Sequence, residues 1–311
     1  MSAPVRETAP LPRYPGLPDP RTIEVNGLDT WYAEQGAGIP VVFVYGGNFG
    51  SPESAPGAYA WDLAVDGLSR RFRTIVYDKP AQGFTAAPVK DEDYTMETVV
   101  EHLIGFIEAL GLPPVHLVGH SRGGYVVTRA TLLRQDLVRS LTIVNSGTLS
   151  PGIGTNEVIL ARPPHPPYSR ESIRWVYEQY CHDRTAVTDA WVEQSYEILT
   201  RPEYRQSVER IQRNLLLPTQ FLPGLARDKR ETLQWLSDGR LQRPCQIVWG
   251  RDDRTAHPDR GHELFRTVSA NERRTVLNIV DKSGHFPYRE HPLWFNDTVG
   301  AFIEEAGYDR S

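Results

Sequence analysis

The chain has 311 residues, with 34 Lys and Arg against 39 Asp and Glu and a formal net charge of -5 at pH 7. So mild an acidic balance excludes the large basic face that nucleic acid requires. The length admits one large α/β domain carrying an insertion. Its two cysteines, Cys181 and Cys245, are too widely spaced for a C-x-x-C site, so neither a disulfide framework nor a zinc site is expected.

Residues 1–20 contain Pro4, Pro10, Pro12, Pro15, Pro18 and Pro20 and are expected to form an extended arm without chemistry of its own. Residues 22–27 and 28–35 alternate around Asn26-Gly27, which predicts an antiparallel edge hairpin. The apolar run Pro40–Val44 suits a strand buried on both faces, and it ends in Tyr45-Gly46-Gly47-Asn48-Phe49-Gly50. Glycines in such a place let backbone N–H groups approach a ligand. A helix is expected over 59–72 and a short strand over 73–77. Thr95 is an expected N-cap for an amphipathic helix that stops at Gly111-Leu112-Pro113-Pro114.

Next comes Val115-His116-Leu117-Val118-Gly119-His120-Ser121-Arg122-Gly123-Gly124. A buried strand runs through G-x-S-x-G into a helix, the arrangement that holds a nucleophilic serine on a strained turn with glycines clearing the space around it. The helix reaches about Arg134, and a strand follows over 140–144. Strands alternating with helices at this spacing predict a mostly parallel sheet with helices on both faces and reactive groups at the carboxyl ends of the strands.

From 146 to 236 no strand pattern remains. Proline clusters give way to helical stretches carrying Trp175, Tyr177, Tyr180, Trp191, Tyr196, Tyr204 and Trp235. Such a segment, inserted between two sheet strands, is expected to form a helical cap with an apolar lining to which Trp175 and Trp191 contribute. The core is then 21–145 and 237–311. Strands resume at Cys245–Trp249, before Gly250-Arg251-Asp252-Asp253, and at Arg274–Val280, before Ser283-Gly284-His285-Phe286. Helices are expected over 259–268 and 292–305.

Ser121, Asp253 and His285 each follow a strand, in the order serine, acid, histidine. A serine hydroxyl needs a base to take its proton, and the base needs an acid to fix its tautomer. Asp253 is preferred to Asp252 as that acid. His120 is expected to line the pocket or bond beneath the turn; His257, His262 and His291 suit surface or helix-start roles. The backbone N–H groups of Gly47 and Arg122 are the expected oxyanion donors, and Gly46, Asn48, His120 and Phe286 complete the expected pocket. No lysine of a phosphate loop follows Gly46-Gly47, and no cluster has metal-ligand spacing, so neither cofactor nor metal is expected.

From about residue 22 onward the chain resembles the α/β-hydrolase superfamily, and within it the meta-cleavage product hydrolases. The resemblance rests on Gly46-Gly47, Gly119-His120-Ser121-Arg122-Gly123-Gly124, Trp249-Gly250-Arg251-Asp252-Asp253-Arg254 and Ser283-Gly284-His285-Phe286. It implies an eight-stranded α/β-hydrolase sheet, the triad above, no cofactor, and hydrolysis of a carbon–carbon bond in a 2-hydroxy-6-oxo-dienoate. The chain departs from that family's usual pattern in having Tyr45 in place of histidine, His120 in place of asparagine and Phe286 in place of tryptophan. The carboxylate-gripping cap arginine falls near Ser195, with Arg201 close by in sequence. A carboxylesterase or lactonase using the same triad is the alternative, and a non-catalytic ligand-binding protein of this fold a more distant one. A small-molecule substrate, a cytoplasmic location, and no nucleic-acid or membrane partner are expected, with a homodimer left open.

Overall fold

The computed structural model describes residues 10–47, 49–151, 159–160 and 163–307. Its centre is an eight-stranded sheet: β1 (Arg21–Val25), β2 (Leu28–Gln35), β3 (Pro40–Val44), β4 (Arg73–Tyr77), β5 (Val115–His120), β6 (Val138–Val144), β7 (Cys245–Gly250) and β8 (Thr275–Val280). The spatial order is β1-β2-β4-β3-β5-β6-β7-β8. β2 pairs antiparallel with β1 and β4, and all remaining neighbours are parallel.

Local chemistry accounts for the edges of this plan. Asn26 and Gly27 both have positive φ, 51° and 78°, as a tight two-residue hairpin turn demands. Every residue of β3, β5 and β7 is buried, and in β3 this shows in the sequence as an unbroken apolar run. Val41 and Phe43 pack into a core shared with α1 (Asp62–Leu68) and α9 (Pro292–Gly307). Val42 faces the opposite core, shared with α2 (Met96–Ala109), α3 (Arg122–Leu133) and α8 (Asp259–Ser269). Thr95 caps α2 by accepting from Thr98 N at 3.1 Å.

The helix expected over 59–72 is shorter than its pattern. A 3-10 turn over Ala58–Trp61 leads into α1, which stops at Leu68. There the Leu68 carbonyl accepts from both Arg71 N and Phe72 N, turning the chain into β4. Between β6 and β7 the described residues hold α4 (Arg170–Tyr180), α5 (Asp189–Thr200), α6 (Pro202–Arg213) and α7 (Leu222–Ser237), with no strand among them. Ser169 and Thr188 cap α4 and α5.

The proline-rich arm has a structural task. Tyr14 is buried against Trp31, Tyr59 and Phe84, and the Pro12 and Pro15 carbonyls accept from Trp31 Nε1 and Gln194 Nε2. Among the described residues no helix is long and apolar enough to cross a membrane.

Candidate active site

The carboxyl ends of β3, β5, β6 and β7 and the loop after β8 converge on one rim. At its centre Ser121 has φ 54° and ψ -121°, a conformation a non-glycine residue holds only when its surroundings enforce it. The enforcement is visible: Ser121 N donates to Val144 O at 2.8 Å, and Ser121 O accepts from Ser146 Oγ at 2.5 Å and Gly124 N at 3.0 Å. The flanking glycines are obligatory. A Cβ on Gly123 would lie 2.1 Å from Val44 O, one on Gly119 would lie 2.4 Å from Gly123 O, and one on Gly46 would lie 2.8 Å from Ser121 Cβ. α3 starts immediately after the serine, so its first N–H groups and positive dipole end lie beside the hydroxyl.

Asp253, buried after β7, accepts from His285 Nδ1 at 2.6 Å. Its Oδ2 also receives Asn145 Nδ2 at 2.7 Å. Oδ1 receives Thr255 N and Thr255 Oγ1, both at 2.8 Å, and Ala256 N at 2.9 Å. Burial alone would raise the pKa of this carboxyl, but the adjacent imidazole and the donors from His285, Ala256 and Asn145 outweigh it and hold the pKa below the usual range. Asp252 takes no part, being half exposed beside His182.

The histidine loop is fastened from three directions. His285 N donates to Tyr180 O at 2.8 Å, and the Tyr180 ring stacks on the imidazole with centroids 4.8 Å apart. Glu290 accepts from Gly284 N and from His182 N and Asp183 N, tying the end of α4 to this loop. His120 Nε2 donates to the His285 carbonyl at 2.9 Å while its Nδ1 accepts from Tyr288 O–H at 3.2 Å. Burial, reinforced by the neighbouring His285, pushes the pKa of His120 well down. His120 is therefore neutral and supports the loop rather than serving as a base. Among the described residues no hydrogen bond joins the Ser121 hydroxyl to His285. Both side chains nonetheless line the same cavity of about 570 Å³.

Gly46, Gly47, His120, Arg122 and Phe286 line that cavity too, and Trp191 forms part of its wall with Tyr59, Tyr177, Tyr180 and Tyr288. Trp191 stacks on Tyr177 at 4.3 Å, and the Tyr59 and Tyr177 hydroxyls meet at 2.9 Å. Trp175 is half-buried and packs into the core rather than the cavity lining. Asn48 lies outside the described residues. Ser195 is buried, accepting from Ala55 N and donating to Ala55 O, and Arg201 lies over the Phe84 ring in a separate groove. Neither reaches the cavity; Glu53 and Arg122 are the carboxylate and guanidinium that do, among the described residues.

Both cysteines are buried free thiols. Among the described residues no group of three or more His, Cys, Asp or Glu is placed to hold a metal ion. Sequence reasoning missed Asn145 as a clip on the acid and Glu290 as a clip on the histidine loop. The first was discoverable from its place directly after β6. The second has no local signal, because two of its three partners, His182 N and Asp183 N, lie more than 100 residues away.

Residues 39–292 match the family model described as alpha/beta hydrolase fold. The chain is 26% identical over 292 residues to the 2-hydroxymuconate semialdehyde hydrolase of Pseudomonas sp., covering 92% of this chain and 94% of that protein. It is 27% identical over 291 residues to the 2-hydroxy-6-oxo-2,4-heptadienoate hydrolase of Pseudomonas putida, covering 91% and 95%. A serine-to-alanine variant of the meta-cleavage product hydrolase of Pseudomonas fluorescens superposes with a TM-score of 0.75 at 23% identity, covering 94% of this chain and 99% of that one.

Proposed function

The chain belongs to the α/β-hydrolase family, and from that premise we propose that it is a cofactor-independent serine hydrolase of 2-hydroxy-6-oxo-dienoate-type ketones, with Ser121, His285 and Asp253 as its triad. The observation that carries the reading is the 2.6 Å bond from His285 Nδ1 to buried Asp253, with imidazole and Ser121 on the wall of one aromatic cavity. The names of the relatives supply the substrate class.

In this reading the dienol first tautomerises to a ketone. His285 then takes the Ser121 proton as Oγ bonds to the 6-oxo carbon, and that carbonyl oxygen becomes an oxyanion held by Gly47 N–H and Arg122 N–H. Collapse breaks the bond between C5 and C6, the departing fragment leaves as a dienolate whose oxygen takes the proton back from His285, and an acyl-serine remains. Water, deprotonated by the same imidazole, releases the acid. A serine–histidine bond that is long without substrate tightens in such complexes. The helical segment 146–236 serves as the cap over the cavity, and the Arg122 side chain serves as the partner of the substrate carboxylate in place of a cap arginine.

The competing esterase reading draws on the same triad and on the cavity wall, where aromatic side chains greatly outnumber cationic ones. Ser121→Ala should lower kcat by about a thousandfold or more on either substrate, as loss of a triad nucleophile does. Undiminished turnover in that variant ends the proposal. Side-by-side kcat/KM on a ring-fission dienoate and on aryl esters decides the bond. Arg122→Gln should raise KM for the dienoate and leave that for a neutral ester little changed.

A further inference from the structure

Lys79 is 1% exposed, two residues past the end of β4, yet among the described residues its Nζ is bonded to no carboxylate. It donates to Gly46 O at 2.8 Å and to Gly47 O at 3.3 Å, and it lies 4.5 Å from the centroid of the Tyr45 ring. Tyr45 Oη in turn accepts from Lys79 N at 3.0 Å. The adjacent carboxylate, Asp78, is occupied elsewhere: it accepts from Tyr14 O–H and Ala58 N at 2.7 Å and from Phe84 N at 2.8 Å. Nζ therefore has two N–H bonds on carbonyl oxygens and its remaining face against an aromatic ring.

The two carbonyls belong to the peptides on either side of Gly47. In a trans peptide the C=O and N–H point in opposite directions. Gly46 O and Gly47 N–H share one peptide, so drawing that oxygen down onto buried Lys79 turns the N–H the other way, away from Nζ. Gly47 lines the cavity beside Ser121, whereas Lys79 does not line it. Gly47 has φ 81°, and a Cβ there would lie 2.5 Å from Pro56 Cγ, so the residue is glycine for both conformation and space. A glycine is also the residue least able to hold its own peptide orientation. A donor on the far side of the peptide further polarises the N–H, as in any chain of hydrogen bonds. The two N–H bonds exist whether or not Nζ is charged.

We propose that Lys79 is a positioning residue for the oxyanion site: it clamps the Gly46 and Gly47 carbonyls from beneath so that Gly47 N–H is aimed at, and strengthened toward, the developing oxyanion. Tyr45 is the platform that makes a lysine tolerable there, which gives a physical reason for tyrosine where the resembling family has histidine. The inference rests on the serine-hydrolase reading.

The probe for it is an arylboronic acid, which bonds Ser121 Oγ as the serine proton passes to His285 and places a tetrahedral oxygen in the oxyanion site. In Lys79→Met, kcat for an aryl ester should fall about 100-fold, the scale of losing one oxyanion donor. KM should stay within threefold while the boronate Ki rises by a factor similar to the loss in kcat. Lys79→Arg, which restores donors, should recover part of both. A kcat and Ki within threefold of the parent in a folded Lys79→Met overturns the proposal, and so does a loss in which Ki and KM weaken together. If Lys79→Met does not fold, Tyr45→Leu decides: a raised Ki-to-KM ratio supports the clamp and an unchanged ratio overturns it. Full activity in Ser121→Ala would instead remove the hydrolase reading itself, which separates the two failures.

Discussion

Asn145→Ala probes Asp253, the acid of the proposed triad, without replacing it. Asn145 sits at φ 44°, is fully buried, donates 2.7 Å to Asp253 Oδ2 and 3.3 Å to Gly284 O, and accepts from Gly250 N at 3.3 Å. A hydrogen bond to a charged group is worth about 1.5–3 kcal/mol. Alanine in a left-handed conformation costs about 1–2 kcal/mol more. The variant should therefore lose about 3–5 kcal/mol, which at about 2–4 °C per kcal/mol for a domain of this order lowers Tm by about 6–20 °C. Four donors remain on Asp253, so it stays ionised and kcat/KM should fall only about 10–100-fold. Asp253→Asn, which spoils the imidazole tautomer, should cost about 10,000-fold. Differential scanning fluorimetry and ester kinetics read both quantities. A Tm within 2 °C of the parent would show that Asn145 does not carry this network.

Asn145→Asp sharpens the same test through its pH dependence. Two carboxylates about 4 Å apart repel by about 4 kcal/mol at an effective dielectric of 20, which raises the pKa of one of them well above the usual carboxylate range. A carboxyl raised in the folded state favours folding at low pH, and that advantage is lost as pH rises through the raised pKa. The Tm deficit of Asn145→Asp relative to the parent should therefore widen between pH 5 and pH 8. A deficit that narrows over that range would refute the placement of the two groups.

Burial pushes the pKa of both His102 and His116 down to about 4. Between pH 6.5 and 4 the unfolded chain takes up protons that the folded one refuses, so each histidine should remove about 3 kcal/mol of stability on acidification. Chemical denaturation at pH 7 and pH 4.5 measures the loss, and replacing either histidine with asparagine should flatten it. Gly123→Ala drives a Cβ to within 2.1 Å of Val44 O and should abolish activity with a Tm loss of 10 °C or more, at about 3 °C per kcal/mol. Burial raises both thiol pKa values, so Cys181 and Cys245 should resist Ellman's reagent in the native protein and react stoichiometrically in guanidinium.

What could be read in advance was whatever leaves a local trace. An unbroken apolar run located β3; Asn26-Gly27 located the hairpin; glycines two residues either side of Ser121 located a turn that tolerates nothing larger. Side chains immediately after strands were legible as site candidates because a parallel sheet brings all such ends to one rim. The contacts that tune the site leave no such trace. Asn145 and Asp253 are 108 residues apart, and Glu290 gathers N–H groups from residues 182, 183 and 284. Helix period also misled over 59–72, where apolar spacing continued but the Leu68 carbonyl was needed to turn the chain. Lys79 carries no local signal, because its burial follows only once β4 is known to lie beside β3, which places it under Gly46 and Gly47. Strand order brings an unremarkable lysine under the peptide proposed to hold the oxyanion, and strand order is a property of the assembled sheet that no stretch of the chain encodes alone.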